Sequence, residues 1–318
     1  MQTPDLSFVV PVYNEHAGLR QFHESLLAVL KTTAKSYEVI YCDDGSTDGT
    51  SELIRRWCED NRDIKLVKLS RNFGKEIALT AGMHEARGQA TIILDADGQH
   101  PVKLIPEFIK RWENGSRVVV GVRSSNQKEG LTKRYGSKIF YRLFNRLTGV
   151  KLTPGSTDFR LIDSPIRKEF LKMTERNRIS RGLIDWLGYE QDYIEFRANP
   201  RLKGQAGYSF RKLLKLAVDS IVSLSISPLY ISAYLGAIVL PLSVLLGIFM
   251  LINLLLGDPA NLHATGSAYL IVLVLFLVGV LLVSQGIIGL YLSHIHTETQ
   301  NRPLYIIDKE GSANIGGH

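Results

Sequence analysis

Asp95-Ala96-Asp97-Gly98-Gln99 follows a short apolar run, Ala90 to Leu94. Two carboxylates one residue apart at the end of a strand can reach one crevice, and their hard oxygens suit Mg²⁺ or Mn²⁺ held against a diphosphate. D-x-D also occurs as a helix N-cap. A calcium loop of the EF-hand kind is disfavoured, because the third acidic position and the glycine spacing do not fit and Glu107 falls one residue late.

The elements that must position these groups alternate along the chain. Strands are predicted at Leu6 to Val12, Glu38 to Cys42, Ile64 to Leu69, Ala90 to Leu94 and Val118 to Val122, with a later one at Tyr193 to Arg197. Helices are predicted at Glu15 to Leu30, Thr50 to Glu59, Lys75 to Ala86 and Val102 to Trp112. This alternation predicts an α/β fold with a doubly wound, mostly parallel sheet, whose ligands bind outside the carboxyl ends of the strands. Polar clusters fall at three such ends: Tyr13-Asn14-Glu15, Asp43-Asp44-Gly45-Ser46 and the Asp95 cluster. No G-x-G-x-x-G follows the first strand, which removes the main signal of a dinucleotide-binding fold. An aspartyl-phosphate phosphatase also uses D-x-D, but here the motif follows the fourth strand and carries Gln99 where a hydroxyl residue is expected.

Charge is unevenly placed. The 318 residues carry a net charge of +7, yet from Leu216 onward only Arg302 and Lys309 are basic, so 36 of the 38 Lys and Arg precede it. That asymmetry describes a domain facing anionic ligands or anionic lipid, followed by an apolar part, and speaks against nucleic acid as a partner. Cys42 and Cys58 are the two cysteines, which suggests no disulfide framework and fits a reducing compartment. The N-terminus lacks a basic region and reads as no signal peptide.

Two apolar runs, Leu229 to Leu256 and Ser267 to Leu292, are each long enough to cross a bilayer. The loop 257–266 between them holds no Lys or Arg, so the positive-inside rule predicts a multi-pass protein of the cell (inner) membrane with both termini cytoplasmic. The stretch Leu131 to Leu147 mixes Lys133, Arg134, Lys138, Arg142 and Arg146 with apolar residues, which suits a helix lying on anionic lipid or an ordinary surface helix. A second such stretch, Phe210 to Leu224, runs into the first span. The expected division is 1–208 catalytic, 209–228 juxtamembrane helix, 229–293 membrane hairpin and 294–318 tail.

Five motifs in order, Val10-Pro11-Val12-Tyr13-Asn14-Glu15, Asp43 to Thr50, Arg71-Asn72-Phe73-Gly74-Lys75, Asp95 to Pro101 and Asp158-Phe159-Arg160, closely resemble family 2 glycosyltransferases. The likeness is to the dolichol-phosphate-mannose-synthase-like and bacterial polyprenyl-phosphate branch. It implies a GT-A fold, a nucleotide-sugar donor, a divalent metal, and inverting transfer to a polyprenyl phosphate. By this resemblance Pro11, Tyr13, Glu15 and Asp44 meet the donor base and ribose. Asp95, Ala96 and Asp97 meet the diphosphate, and Asp95, Asp97 and Gln99 hold the metal.

Arg123, Arg134 and Arg201 would take the acceptor phosphate. Asp158 sits where relatives with hydroxyl acceptors carry a base, and is assigned here to positioning or weak base duty. The family's Ser-Lys pair after Gly204 is replaced by Ala206-Gly207, so the usual acceptor-clamp lysine is missing; Lys203 or Arg211 could substitute. UDP-glucose and undecaprenyl phosphate are the first-choice substrates, with GDP-mannose, other UDP-sugars and modified arabinose open. The sequence also leaves open a homo-oligomer, and a membrane-anchored protein of another class that binds lipid-linked sugar beside a flippase.

Overall fold

The computed structural model describes residues 3–124, 153, 155–176, 178–199 and 266–315, with scattered helical positions between 229 and 256. The chain divides into two compact units: one comprises 1–145, 150–208 and 302–318, the other 146–149 and 209–301.

The first unit is built on a seven-stranded sheet. Its strands are β1 (Leu6–Val12), β2 (Tyr37–Asp43), β3 (Ile64–Lys68), β4 (Ala90–Ile93), β5 (Val118–Arg123), β6 (Ser156–Asp163) and β7 (Gln191–Phe196), in the order β3-β2-β1-β4-β6-β5-β7. The first four are mutually parallel, as is β5 with β7. β6 runs antiparallel to both β4 and β5. The sheet is mostly parallel, as expected, and is made mixed by the one reversed strand, β6. Sequence periodicity missed β6 because its polar beginning, Ser156-Thr157-Asp158, reads as a loop.

This arrangement sets the working edge. The carboxyl ends of β1 to β5 and the amino end of β6 lie together, so Asp158 comes to the same edge as Asp95 although it starts its strand. Strand order reverses direction of travel between β1 and β4, which is the topological switch point where such sheets open a crevice. Pro11 tolerates its central strand because the β1–β4 ladder ends at Val9↔Ile93, so no bond to β4 is asked of its missing N–H.

Helices cover both faces: α1 (His16–Leu30), α2 (Thr50–Asp60), α3 (Lys75–Glu85), α4 (Ile105–Glu113), α5 (Ser164–Lys172) and α6 (Ser180–Trp186). Leu19, Phe22, Leu26 and Leu30 recur at helical spacing on α1 and are all buried. They join Phe8, Val10, Tyr41, Ile92, Phe108 and Phe159 in one core. The predicted helix from Val102 begins as a single 3-10 turn, Val102–Leu104, because Pro106 enters at the first turn of α4. His23 is buried between α1, β2 and α2, stacked on Trp57 at 3.8 Å and bonded to the Tyr41 hydroxyl at 2.8 Å.

Residues 302–315 belong to this unit and not to a separate tail. Leu66 bridges Ala313 and Leu69 bridges Ile307, both antiparallel, so the segment covers the outer edge of β3. Asn314, at φ 57°, donates its side-chain amide to the carbonyls of Cys58 and Ile64, each at 2.8 Å. Tyr305 lies beside His84 of α3, and burial pushes its hydroxyl up to about 12.

In the second unit, α7 (Gly266–Thr299) contains the apolar stretch Phe276–Thr299, whose most apolar 18 residues have a mean hydropathy of 2.0, with many large apolar side chains exposed. It is the one helix among the described residues long and apolar enough to cross a membrane. Of the other predicted span, Leu229 to Leu256, scattered helical positions are described; the stretches 131–147 and 210–224 lie outside the described residues.

Candidate active site

The loops at the carboxyl edge are stitched to one another before any ligand is considered. After β1, Asn14 takes φ 54°, a left-handed conformation that Asn tolerates. Its backbone N–H donates to Ser46 Oγ at 2.9 Å, and its Oδ1 accepts from Thr47 N. The Glu15 N–H donates to Thr50 Oγ1 at 3.1 Å, where α1 begins. Tyr13 is 47% exposed on this edge, a ring face free of the core. Pro11 is buried beneath it.

The two aspartates after β2 do different work. Asp43 is buried and accepts from Ser46 N at 2.9 Å and from the hydroxyls of Ser46 and Ser51, which closes the turn. Asp44 accepts from the backbone N–H of Phe73 at 2.7 Å and of Gly74 at 2.9 Å. Burial raises its pKa, opposed by those two N–H donors. Asp44 therefore anchors the loop that delivers Lys75, a use not anticipated for it. Gly45, at φ 74°, lies under the same loop, where a Cβ would come within 2.6 Å of the Arg71 carbonyl carbon.

The Asp95 turn is held from both sides. The Asp95 N–H donates to His100 Nδ1 at 3.0 Å, and the Gln99 N–H donates to Asp97 Oδ1 at 3.0 Å. His100 is buried against Phe159, and burial lowers its pKa. Because Nδ1 accepts from the Asp95 N–H, the ring carries its proton on Nε2. Gly98 takes φ 76°, and Asn199, following β7, donates its N–H to the Gln99 carbonyl. Ala96 points into the core while Asp95 and Asp97 flank it.

Strand register brings the next group into play. β4 and β6 pair Ile93 with Arg160; two residues on from Ile93 and two back from Arg160 are Asp95 and Asp158. The antiparallel pairing thus brings the two carboxylates to one edge, and the Lys75 ammonium bridges them, 2.7 Å from Asp95 Oδ1 and 2.7 Å from Asp158 Oδ2. Burial works against that ammonium, but Asp158 and Asp95 more than offset it and hold Lys75 above its ordinary value. Burial likewise opposes ionised Asp158, but Lys75, Arg181 and Arg160 outweigh it and keep the carboxyl well below the usual range. Behind it Glu76 accepts from Ser180 N at 2.8 Å, and its pKa is raised by burial and by Asp158.

Arg123 ends β5 at the same edge, exposed, its backbone N–H bonded to Gly155 O at 2.8 Å. Arg134 and Arg201 lie outside the described residues, as do Lys203, Ala206, Gly207 and Arg211. Lys75, Glu76, His100 and Arg181 were given no role from sequence. Lys75 could have been found there, as the first helical residue after a loop ending in glycine.

Among the described residues no three His, Cys, Asp or Glu side chains gather as a ready metal cluster. The donor set nevertheless fits a hard divalent cation sharing its shell with phosphate oxygens: Asp95 and Asp97 share one turn, and Asp95 already stabilises a cation, the Lys75 ammonium.

A GT-A-like mixed α/β sheet with an acidic turn at its switch-point edge is the architecture of nucleotide-sugar enzymes, and the family match makes this one a glycosyltransferase. The family model "Glycosyl transferase family 2" matches residues 7–171, and the chain belongs to that family. An uncharacterized glycosyltransferase of Synechocystis sp. (strain ATCC 27184 / PCC 6803 / Kazusa) is 40% identical over 96% of this chain and 95% of its own. The SfII prophage-derived bactoprenol glucosyl transferase of Shigella flexneri is 34% identical over 97% of this chain and 99% of its own. In fold, the chain is similar to mannosyl-3-phosphoglycerate synthase from Rubrobacter xylanophilus, with TM-score 0.52 and 15% identity over 69% of this chain and 72% of that one.

Proposed function

We propose that this glycosyltransferase moves a hexose, glucose from UDP-glucose in the first instance, onto the phosphate of undecaprenyl phosphate with inversion at the sugar carbon. The observation that carries this reading is the single edge shared by Tyr13, the Asp95–Asp97 turn, Asp158 and Arg123, in a chain similar along nearly its whole length to a bactoprenol glucosyl transferase. Tyr13 offers a stacking face for the base, and Glu15 lies beside it for base or ribose. Asp95, Asp97 and Gln99 would hold Mg²⁺ or Mn²⁺, which when bound neutralises charge on the departing diphosphate.

The remaining chemistry falls to the chain itself. A phosphate monoester has a second pKa near 6 and is largely dianionic at neutral pH, so it attacks without a strong base. Asp158, held ionised by three cations, is a weak base and serves instead to orient Lys75 and the acceptor side. Arg123, with Arg134 and Arg201, supplies planar forks for the acceptor dianion.

The second unit seats this reaction at a bilayer. Chain on both sides of residues 209–301 belongs to the first unit, so the segment crosses a membrane an even number of times or not at all. Together with the apolar stretch Phe276–Thr299 and the charge asymmetry, this supports a two-helix hairpin with a juxtamembrane helix before it, and a catalytic unit and both termini on the cytoplasmic side.

The test is a donor panel: purified full-length protein, undecaprenyl phosphate, Mn²⁺ or Mg²⁺, and UDP-glucose beside UDP-galactose, UDP-arabinose and GDP-mannose. A lipid product dependent on UDP-glucose is expected. Product from another donor with none from UDP-glucose overturns the sugar assignment, and product with no lipid acceptor present overturns the acceptor.

A further inference from the structure

The geometry points to Lys75 as a built-in counter-cation: its ammonium competes with a divalent metal for Asp95, and it yields that carboxylate when a nucleotide-sugar diphosphate arrives. This rests on the proposed use of a diphosphate donor and adds an order to it, in which metal and diphosphate load together and not metal first.

Three observations carry the inference. Asp95, two residues beyond the last β4–β6 pair Ile93↔Arg160, and Asp158, near the start of β6, both come within 2.7 Å of one ammonium, and two carboxylates that close repel each other unless a cation intervenes. Lys75 Nζ supplies that cation at 2.7 Å from each. Secondly, the ammonium lies on Asp95 Oδ1, one of the oxygens a divalent ion would need. An Mg²⁺ or Mn²⁺ bonds oxygen at about 2.1 Å, and a third positive charge within hydrogen-bond distance of the same oxygen repels it. Thirdly, the backbone of Lys75 is clamped, while its side chain, held at the tip by the two carboxylates, is the most exposed of the three. Asp44 clamps the two preceding residues through Phe73 N and Gly74 N, whereas the Lys75 side chain is 43% exposed, against 25% for Asp95 and 17% for Asp158.

A four-carbon stem on a fixed root can swing its charge from one carboxylate toward an incoming anion, as a guanidinium fork could not do so freely. A diphosphate brings negative charge to the crevice, draws Lys75 off Asp95, and binds the metal that replaces it. Asp158 keeps its own link to Lys75 in this exchange, which is how the state of the donor site reaches the acceptor side.

The test reads metal binding directly. Free Mn²⁺ is followed by its electron paramagnetic resonance signal on titration into full-length wild type, Lys75→Met and Lys75→Arg, without nucleotide. Lys75→Met removes the competitor and is expected to bind Mn²⁺ about tenfold tighter or more, while Lys75→Arg stays near wild type. With UDP added, and Mn²⁺ chelated by free UDP subtracted, wild-type affinity is expected to rise more than that of Lys75→Met. An unchanged or weaker affinity in Lys75→Met, or no Mn²⁺ binding by any of the proteins, overturns the proposal. Should Lys75→Met fail to fold, wild type alone decides: equal Mn²⁺ affinity with and without UDP overturns it. No sugar or lipid enters these titrations, so a failure of UDP-glucose or of undecaprenyl phosphate as substrate reads separately.

Discussion

Asp95, just past the end of β4, and Asp158, near the start of the antiparallel β6, are bridged by the Lys75 ammonium, 2.7 Å from an oxygen of each. Those residues are more than sixty positions apart, and the feature that unites them is the reversal of one strand. Had β6 run parallel to its neighbours, Asp158 would lie at the far end of the sheet from the Asp95 turn. The antiparallel insertion thus brings the Asp158 carboxylate to the edge formed by the carboxyl ends of the parallel strands.

Removing a carboxylate from the Asp95 turn tests the donor side. Asp97→Ala should lower transfer by on the order of 100-fold or more, since even outer-shell partners of a metal cost about 10–100-fold. Stability should hardly change, because the turn keeps its other bonds from His100 and Asn199. Thermal unfolding and UDP-glucose binding on the same protein check both parts; a folded mutant with full transfer would remove the metal assignment.

Much of this edge was legible in the sequence, and the reason is local. Apolar runs ending in Asp, Gly or Ser mark strand ends wherever the chain must turn, so β1 to β5 and their polar tips could be read directly. Asp44 shows the limit: its type and place suggest a ligand contact, yet its two oxygens accept from Phe73 and Gly74, about thirty residues on. Long-range pairing of that sort leaves no periodic trace. The same holds for β6 and for residues 302–315, whose place depends on which strand edge is left to cover.

Gly45 lies where backbone meets backbone. Gly45→Ala adds a Cβ 2.6 Å from the Arg71 carbonyl carbon, at a φ of 74° that Ala disfavours. A loss of about 1–3 kcal/mol is expected from overpacking together with strain. Because the displaced loop carries Lys75, the variant should also weaken donor binding, measurable by calorimetry against the urea midpoint.

His23 gives a pH dependence of stability. Burial, with Arg20 nearby, lowers it from 6.5 to about 4 in the fold. Its folded value lies below its unfolded one, so its contribution is complete above pH 6.5 and is lost as pH falls toward about 4, amounting to about 3 kcal/mol. His23→Phe should be less stable at neutral pH, since the Tyr41 hydroxyl loses its partner, but its urea midpoint should fall less steeply between pH 6.5 and 4.5. Parallel curves for the two proteins would show that His23 does not titrate in this way.

Arg123 tests the acceptor side. Arg123→Ala would leave a dianion short of a charge-assisted pair worth about 1.5–3 kcal/mol, which is roughly a 10- to 150-fold loss of transfer. Arg123→Lys should recover part of it, because a point charge cannot reproduce the fork. UDP-glucose affinity should hold; a large fall there would move Arg123 to the donor diphosphate.

The returning segment 302–315 stabilises the outer edge of the sheet, and Asn314 separates two contributions to that effect. Asn314→Gly keeps the φ of 57° but gives up the amide bonds to the carbonyls of Cys58 and Ile64, while Asn314→Ala gives up both. Losing the bonds should cost about 1–3 kcal/mol, and the Ala variant should lose about 1 kcal/mol more from left-handed strain. Deleting residues 302–318 goes further, since it bares the β3 hydrogen bonds now made to Ala313. An uncovered strand edge recruits other chains. The truncated protein should therefore aggregate on gentle heating while point variants stay monodisperse, a contrast that size-exclusion chromatography with light scattering resolves. Equal behaviour of the truncated and full-length chains would mean that this segment rests on β3 without securing it.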